Sequence, residues 1–282
     1  MPRTTLASQI STEGIALHAG SKIRMTFAPA PSGSGIVFRR SDLGGREIPA
    51  LYDRVGETRL GTVIGDGAGT SVGVIEHLMA AVAGAGIDDL LVTMDGPEPP
   101  ILDGDALSFF RLLEQAGTKS QAGDRRTIRV MRPVEVVAGD AQIRLLPSDV
   151  PEYSYELDYS NTKAIGKQSY QMTFTREIFA REIAPARTFG FVHELAYLKS
   201  IDRGHGASLE NTLAIDGDNV VNKALMRFPD EFVRHKILDA IGDMALAGAP
   251  LMARFEGVKS GHATNNAVLR ALFADPANYE MV

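Results

Sequence analysis

The order of the predicted elements constrains the fold of this chain more than any other feature of its sequence. Short runs of alternating apolar and polar residues fill about the first sixty residues, and residues 22–40 are predicted to form a hairpin around a Pro/Ser/Gly cluster. A helix over 74–83, a strand over 89–94 and a second helix over 106–116 are predicted to follow. This order is typical of an antiparallel sheet with helices packed on one side.

The second half of the chain repeats this order without a residue-level repeat. Short alternating runs occur again at 128–137, 141–146, 153–159 and 170–174. A long helix over 230–247 is predicted after them. Residues 117–127 are polar and lack periodicity, so we place a domain boundary there, between domains 1–120 and 121–282. The sequence therefore predicts an α+β fold with two domains of similar topology, each a largely antiparallel sheet packed on helices.

Composition excludes several classes of protein and site. The 282 residues include no cysteine, so disulfides, thiolate metal sites and cysteine nucleophiles are absent, and a transition metal would need His, Asp or Glu ligands. A formal net charge of −6 without a long basic run argues against nucleic-acid binding. The longest apolar stretch, 72–87, falls short of the roughly 20 residues that span a bilayer, and the N-terminus has no signal-peptide core. We therefore expect a cytoplasmic protein with no transmembrane segment.

One face of the long predicted helix carries groups that can bind a metal. His235, Asp239 and Asp243 recur every four residues, and at roughly 100° per residue they share one stripe, with Lys236 beside them. Apolar residues fill the opposite arc, except for Arg234. The alternative is an ordinary solvated face with i,i+4 contacts.

Two of the six histidines occur in equally suggestive places. His77 follows Glu76 at the opening of an apolar predicted helix, where both need partners because burial of a charge is costly. His262 occurs in "KSGHATNN", which we read as a glycine-containing loop. The alternatives are a buried, hydrogen-bonded histidine for the first and a surface histidine for the second.

These groups match the needs of a hydrolytic zinc site. Such a site has three protein ligands and one open position, which His77, His235 and Asp239 would supply, whereas a structural zinc would want four ligands. Glu76 could then act as general base, and His262 could protonate a leaving group. Asp243 would orient the His262 ring. Spacing alone does not show that these groups meet.

The sequence resembles the UDP-3-O-acyl-N-acetylglucosamine deacetylase family, zinc amidases of lipid A synthesis in Gram-negative bacteria. The resemblance runs nearly end to end. Its landmarks are "ISTEGIALHAG", "VIEHLMAAVAGAGIDDLLVTMDGPEPPILDGDA", "ARTFGF", "RFPDEFVRHKILDAIGDMALAG" and "KSGHATNN". These motifs are long, ordered and spread over both halves. The resemblance also implies two α+β domains of similar topology with the active site between them.

The resemblance assigns a role to each candidate residue. It implies one zinc ion per chain held by His77, His235 and Asp239, with Glu76 as the base and His262 as the catalytic imidazole assisted by Asp243. Whether Fe2+ can take the place of zinc in cells stays open. The other implied site residues are Thr188 for the oxyanion, Lys236 for the pyrophosphate, Phe189 and Phe191 for the cleft and its sugar or acyl contacts, and His18 as a further substrate-binding residue. Core packing is the alternative for Phe189 and Phe191.

The implied reaction is hydrolysis of the acetamide of an acylated UDP-N-acetylglucosamine, releasing acetate, by a protein that we expect to be a monomer. Two alternatives stay open: a zinc amidase acting on another N-acyl sugar, and a nucleotide-sugar binding protein without catalysis. The sequence departs from the family pattern in two places. Asp202, Arg203 and His205 are polar where an apolar passage for the acyl chain is expected, and Asp105 replaces a usual serine as a turn or helix-cap change.

Overall fold

Ten strands and two α-helices form the first half of the chain in the computed structural model, which describes residues 1–282. They are β1 (Pro2–Leu6), β2 (Ile10–Ile15), β3 (Lys22–Pro29), β4 (Ile36–Arg40), β5 (Arg46–Pro49), β6 (Val55–Glu57), β7 (Val63–Gly65), β8 (Ser71–Val72), α1 (Glu76–Ala85), β9 (Leu90–Met94), α2 (Leu107–Ala116) and β10 (Thr118–Asp124).

Ten more strands and four α-helices form the second half. They are β11 (Ile128–Val130), β12 (Val134–Ala138), β13 (Ala141–Pro147), β14 (Glu152–Tyr159), β15 (Gly166–Thr173), α3 (Arg176–Ile178), β16 (Phe189–Phe191), α4 (Leu195–Ser200), β17 (Leu213–Asp216), β18 (Asn219–Val220), α5 (Glu231–Met244), β19 (Leu251–Val258), α6 (His262–Ala274) and β20 (Tyr279–Met281).

The two halves share one sheet topology. In the first half the order is β2-β3-β9-β4-β5, and in the second the strands β12-β13-β19-β14-β15 follow the same order. In both sheets the outer pairs are antiparallel hairpins, and the central strand lies antiparallel to one neighbour and parallel to the other. One helix precedes each central strand and one follows it. The predicted α+β fold with two similar domains is confirmed; the boundary near residues 117–127 stays a prediction.

One prediction about strand pairing and one about the bounds of a strand are wrong. Residues 22–40 do not form a hairpin, because β9 lies between β3 and β4 and pairs with both. The run predicted at 128–137 is two strands, β11 and β12, interrupted before Pro133, which has no backbone N–H to continue a ladder. The polar segment 117–127 also contains a strand, β10, which pairs with β1 at the start of the chain.

Helices α1 and α5 pack against each other between the two sheets. Helix α1 has four alanines among its ten residues and is followed by Gly86, whose left-handed conformation (φ 68°) closes the last turn. All but one of its residues are buried, as expected for a helix enclosed on every side. The two backbones approach closely at Gly242, where a Cβ would lie 2.7 Å from the carbonyl carbon of Glu76. The metal-binding stripe predicted on α5 therefore faces another helix rather than solvent.

Arg234, which interrupts the apolar arc of α5, has dedicated partners. Its guanidinium lies 4.2 Å from the ring centre of Tyr170 and 4.4 Å from that of Phe228. It also forms ion pairs with Asp230 (2.6 Å) and Glu182 (2.7 Å). The guanidinium therefore packs against two aromatic rings while its charge is neutralised by two carboxylates. None of the six helices has the length and apolar character needed to cross a membrane.

Candidate active site

Three side chains from α1 and α5 form a cluster suited to a metal ion. The candidate ligand atoms of His77, His235 and Asp239 all lie within 4.8 Å of one another. Asp239 Oδ1 lies 3.6 Å from His77 Nε2 and 3.4 Å from His235 Nε2. All three residues are buried. Two imidazole nitrogens and one carboxylate oxygen are a donor set that divalent transition metals accept, with room for a further ligand.

The surroundings prepare these side chains to bind a cation. His235 Nδ1 lies 3.1 Å from the carbonyl oxygen of Ala186, so the Nδ1–H donates there and Nε2 keeps its lone pair. Burial lowers the pKa of His235 to about 4, so the ring is neutral. Burial opposes ionisation of Asp239, but Lys236 and His235 outweigh it and hold the pKa of that carboxyl well below its usual range. The residues present therefore fit a metal ion.

Glu76 lies beside this cluster at the first turn of α1. Its Oε2 accepts a hydrogen bond from the backbone N–H of Thr62 (2.9 Å), and its Oε1 lies 3.7 Å from His262 Nε2. Burial raises the pKa of the Glu76 carboxyl, although His262 and His77 act in the opposite direction. The backbone just before the helix is strained, because Val74, a β-branched residue, has a φ of 53°. A buried carboxylate with a raised pKa is a suitable proton acceptor.

His262 is paired with Asp243 and does not lie in a loop as predicted. It is the first residue of α6, where the Thr264 hydroxyl holds the backbone of Gly261. His262 Nδ1 lies 2.8 Å from Asp243 Oδ2. Burial lowers the pKa of His262, but the carboxylates of Asp243 and Glu76 outweigh burial and raise it to about 9. The imidazole is therefore protonated at neutral pH and can donate a proton.

All the predicted site residues except Asp243 line one cavity of about 960 Å³ between the two domains. Those beyond the metal cluster are Glu76, His262, Thr188, Lys236, Phe189, Phe191 and His18. Asp243 lies directly behind His262. The structure thus brings together the groups that the sequence could only name separately.

Several of these residues also have structural partners. Lys236 Nζ lies 2.7 Å from Asp239 Oδ2, so it orients the carboxylate whose other oxygen faces the histidines. Phe189 lines the cavity and also packs edge-on against Phe232, with ring centres 5.1 Å apart. His18 Nε2 lies 2.9 Å from the carbonyl oxygen of Leu60, whereas its buried Nδ1 has no hydrogen-bond partner.

Asp202, Arg203 and His205 do not line the cavity, whereas Gly204 between them does. His205 Nε2 contacts Asp202 Oδ1 at 2.7 Å, and this pair is directed to solvent. The cavity wall in this region is formed instead by Phe191, Val192, Leu195, Leu198 and Leu209. An apolar wall therefore exists despite the polar sequence.

Asp105, the second departure from the family pattern, holds the start of α2. Its Oδ1 accepts a hydrogen bond from the backbone N–H of Ser108 (3.1 Å), as a helix-capping carboxylate does. Its other oxygen forms an ion pair with Arg227, and the side chain is buried. This placement agrees with a change at a helix cap.

Three further residues near the site are not among the residues predicted from the sequence. Thr62 contacts both Glu76 and Asp243, and Asn265 Nδ2 donates to Asp243 Oδ2 (2.7 Å). Gly61 has a φ of 131°, and a Cβ there would lie 2.8 Å from Glu76 Oε1. Asn265 follows His262 by three residues on α6, so helical spacing could have identified it; Gly61 and Thr62 offer no such pattern.

Comparison with known proteins identifies close relatives over the whole chain. Residues 3–274 match the family model described as UDP-3-O-acyl N-acetylglycosamine deacetylase (LpxC). Three curated relatives carry the name UDP-3-O-acyl-N-acetylglucosamine deacetylase. The one from Phenylobacterium zucineum (strain HLK1) is 45% identical over 265 residues, covering 93% of this chain and 90% of the relative. That from Myxococcus xanthus (strain DK1622) is 44% identical, covering 99% and 88%. That from Neisseria meningitidis (strain FAM18) is 41% identical, covering 100% and 93%.

Proposed function

Because this chain belongs to the UDP-3-O-acyl N-acetylglycosamine deacetylase family, we propose that it catalyses zinc-dependent hydrolysis of the N-acetyl group of UDP-3-O-(3-hydroxyacyl)-N-acetylglucosamine. The products would be acetate and UDP-3-O-(3-hydroxyacyl)-glucosamine, the committed step of lipid A biosynthesis. The observation that carries the proposal is the meeting of a three-ligand cluster, a buried carboxylate and a protonated imidazole at one cavity.

His77, His235 and Asp239 would hold one zinc ion. Zinc accepts nitrogen and oxygen ligands in tetrahedral sites and tolerates an open position. Divalent iron would also accept these ligands. Which metal occupies the site in cells would depend on metal supply as well as on affinity. When bound, zinc would supply a Lewis acid for the acetamide carbonyl and the attacking water.

Glu76 and His262 would divide the proton transfers. Glu76 lies next to the cluster, so it would remove a proton from the attacking water. His262, protonated and held by Asp243, would donate a proton to the leaving nitrogen. An amine leaves poorly without that proton, so the amide bond breaks only when both groups act.

Thr188 and Lys236 would assist from the cavity wall. Thr188 precedes β16, whose pairing with β17 fixes its backbone, and its hydroxyl would donate to the developing oxyanion. Lys236 Nζ bonds Asp239 and reaches the same cavity, so it would attract the substrate's pyrophosphate while keeping the ligand oriented. His18, Phe189 and Phe191 would contact the sugar and acyl groups.

The apolar wall made by Leu195, Leu198 and Leu209 would take the acyl chain. Burial of a chain there would be favourable by about 0.8 kcal/mol per CH2 group removed from water. A substrate without its chain would then react much more slowly at low concentration. The monomeric state and the cytoplasmic location stay predictions.

The test is acetate release from purified protein with the acylated substrate and, separately, with UDP-N-acetylglucosamine. We expect about one zinc per chain, activity lost on chelation and restored by metal, and strong dependence on the acyl chain. Equal rates on both substrates would favour an amidase for another N-acyl sugar. Bound zinc without acetate release from either would refute the proposed activity.

A further inference from the structure

The two proton-transferring groups of the site come from different halves of the chain. Glu76 begins α1 in the first half, whereas His262 begins α6 and its partner Asp243 lies near the end of α5. The separation of 3.7 Å between Glu76 Oε1 and His262 Nε2 therefore depends on how the halves are held together at this point.

Thr62 is the one residue hydrogen-bonded both to Glu76 and to Asp243, the partner of His262. It lies just before β7, and its backbone N–H donates to Glu76 Oε2 at 2.9 Å. Its hydroxyl donates to Asp243 Oδ1 at 2.6 Å. The side chain is buried at 1% exposure. Because the two bonds use different parts of the residue, substitution of the side chain removes one and leaves the other.

The backbone around Thr62 is shaped to make this contact. Gly61 has a φ of 131°, a conformation that residues with a side chain rarely adopt, and a Cβ there would press on Glu76 Oε1. The carbonyl of Thr62 also accepts a hydrogen bond from the N–H of Ile75 (3.4 Å), immediately before α1. The loop is therefore fastened to the start of the helix that carries Glu76.

Both carboxylate oxygens of Asp243 accept hydrogen bonds only when the Thr62 hydroxyl is present. Its Oδ2 accepts from His262 Nδ1 (2.8 Å) and from Asn265 Nδ2 (2.7 Å), and both donors belong to α6. Its Oδ1 accepts from Thr62. Without that third bond a buried carboxylate oxygen has lost its partner, and the carboxylate can rotate toward a new one.

We propose that Thr62 is a positioning residue that couples the two halves of the site, setting the orientation of the Asp243–His262 pair relative to Glu76 through its hydroxyl. This inference rests on the proposed deacetylase function. The hydroxyl touches neither the metal cluster nor the cavity, so its effect on the rate passes through Asp243.

The test compares Thr62→Val, which keeps the shape and the backbone N–H, with Thr62→Ser, which restores a hydroxyl. We expect Thr62→Val to lower kcat by about 10- to 100-fold, with KM and zinc content unchanged, because a charged acceptor loses its bond. Thr62→Ser should recover to within about 3-fold of the wild type. Thr5→Val is the control for loss of a buried hydroxyl, because Thr5 is equally buried and its hydroxyl donates to the Asp89 carbonyl oxygen (2.7 Å) and accepts from the Ala30 N–H (3.0 Å), far from the site.

Two further measurements distinguish an effect of Thr62 on the position of the Asp243–His262 pair from a general loss of structure. If Thr62 acts through Asp243, Thr62→Val should cost nothing more in an Asp243→Ala background. The His262 Nδ1 proton resonance of the zinc-loaded protein without substrate should shift in Thr62→Val and stay in place in Thr62→Ser and Thr5→Val. The inference would be overturned if Thr62→Val kept the wild-type kcat or if Thr62→Val and Thr62→Ser lost equal amounts of kcat. Full additivity of Thr62→Val with Asp243→Ala, or an unshifted resonance in Thr62→Val, would also overturn it. If the wild type releases no acetate, the proposed function fails, and the resonance still tests Thr62.

Discussion

Replacing Gly242 with alanine tests whether the contact between α1 and α5 fixes the position of Glu76, the proposed catalytic base. Gly242 lies on α5 where the two helix backbones meet, against the backbone of Glu76. Alanine is a better helix former than glycine by about 1 kcal/mol, so the substitution would stabilise an isolated α5. Any loss of stability in the protein must therefore come from the helix contact.

The structure sets the size of the effect. The new Cβ would lie 2.7 Å from the carbonyl carbon of Glu76 and closer still to its oxygen. Ordinary carbon–carbon contact needs roughly 3.5 Å, so the first turn of α1 must move by about 1 Å. A displacement of that size at a reacting group costs about 100-fold in rate. Overpacking of this kind also lowers the free energy of unfolding by about 1 to 3 kcal/mol.

The assay measures kcat for acetate release, zinc content and denaturant unfolding on one preparation of each variant. Gly84→Ala is the matched control. Gly84 lies two turns further along α1, and a Cβ there would press on the buried ring of Phe179, 3.0 Å from Cγ and closer to Cδ1. We expect both variants to lose comparable stability, and only Gly242→Ala to lose most of kcat. Zinc content shows whether His77, which lies in the same turn as Glu76, has moved as well.

Two results would refute this reasoning. If Gly242→Ala unfolds more easily but keeps the wild-type kcat, the position of Glu76 does not depend on the helix contact. If Gly84→Ala loses as much kcat as Gly242→Ala, the rate follows overall stability and not the local displacement of Glu76.

Three further predictions concern the chemistry. Glu76→Gln keeps the shape and the bond from Thr62, so metal analysis should find zinc retained, while the acetate assay should find the rate lowered by about 10²- to 10⁴-fold, as expected for loss of a general base. His235→Ala should lose zinc as well as activity, because two ligands hold the ion poorly; retained stoichiometric zinc would contradict the ligand assignment. His262 is protonated below its pKa of about 9 and loses the proton above it, so kcat/KM should fall as pH rises through about 9. Asp243→Asn should move that fall to lower pH, because Asp243 raises the pKa; an unmoved profile would exclude His262 as the acid.

The local parts of this fold could be predicted from the sequence because their signals are local. Helical periodicity identified α1, α2 and α5 to within a few residues, and the four-residue spacing placed His235 and Asp239 on one stripe. Strand pairing is a different matter. The hairpin predicted for residues 22–40 failed because β9, fifty residues later, is the real partner of both strands. The strand β10 is polar on both faces, so it gives no alternation to recognise.

The site divides in the same way. Residues that carry reactive groups can be named from sequence, because only a few side-chain types bind metals or transfer protons. Residues that hold them in place cannot, because a threonine such as Thr62 is ordinary in any other setting. His262 was misplaced in a loop because Gly261 precedes it, whereas the structure begins α6 there through the Thr264 hydroxyl.

The duplicated topology places the candidate site between the two halves of the chain. In each half a helix precedes the central strand. These two equivalent helices, α1 and α5, approach each other closely at Gly242, which has no side chain to separate their backbones. An interface of this kind would be most stable if it were wholly apolar, because burial of charge is costly unless it is paired. Here Asp239 has Lys236 and Asp243 has His262, so each of these carboxylates is compensated locally. Glu76 has only a backbone N–H and a distant imidazole. Of these three carboxylates, the one left incompletely paired is therefore the one whose pKa is raised by burial, and it is the group that we propose as the base.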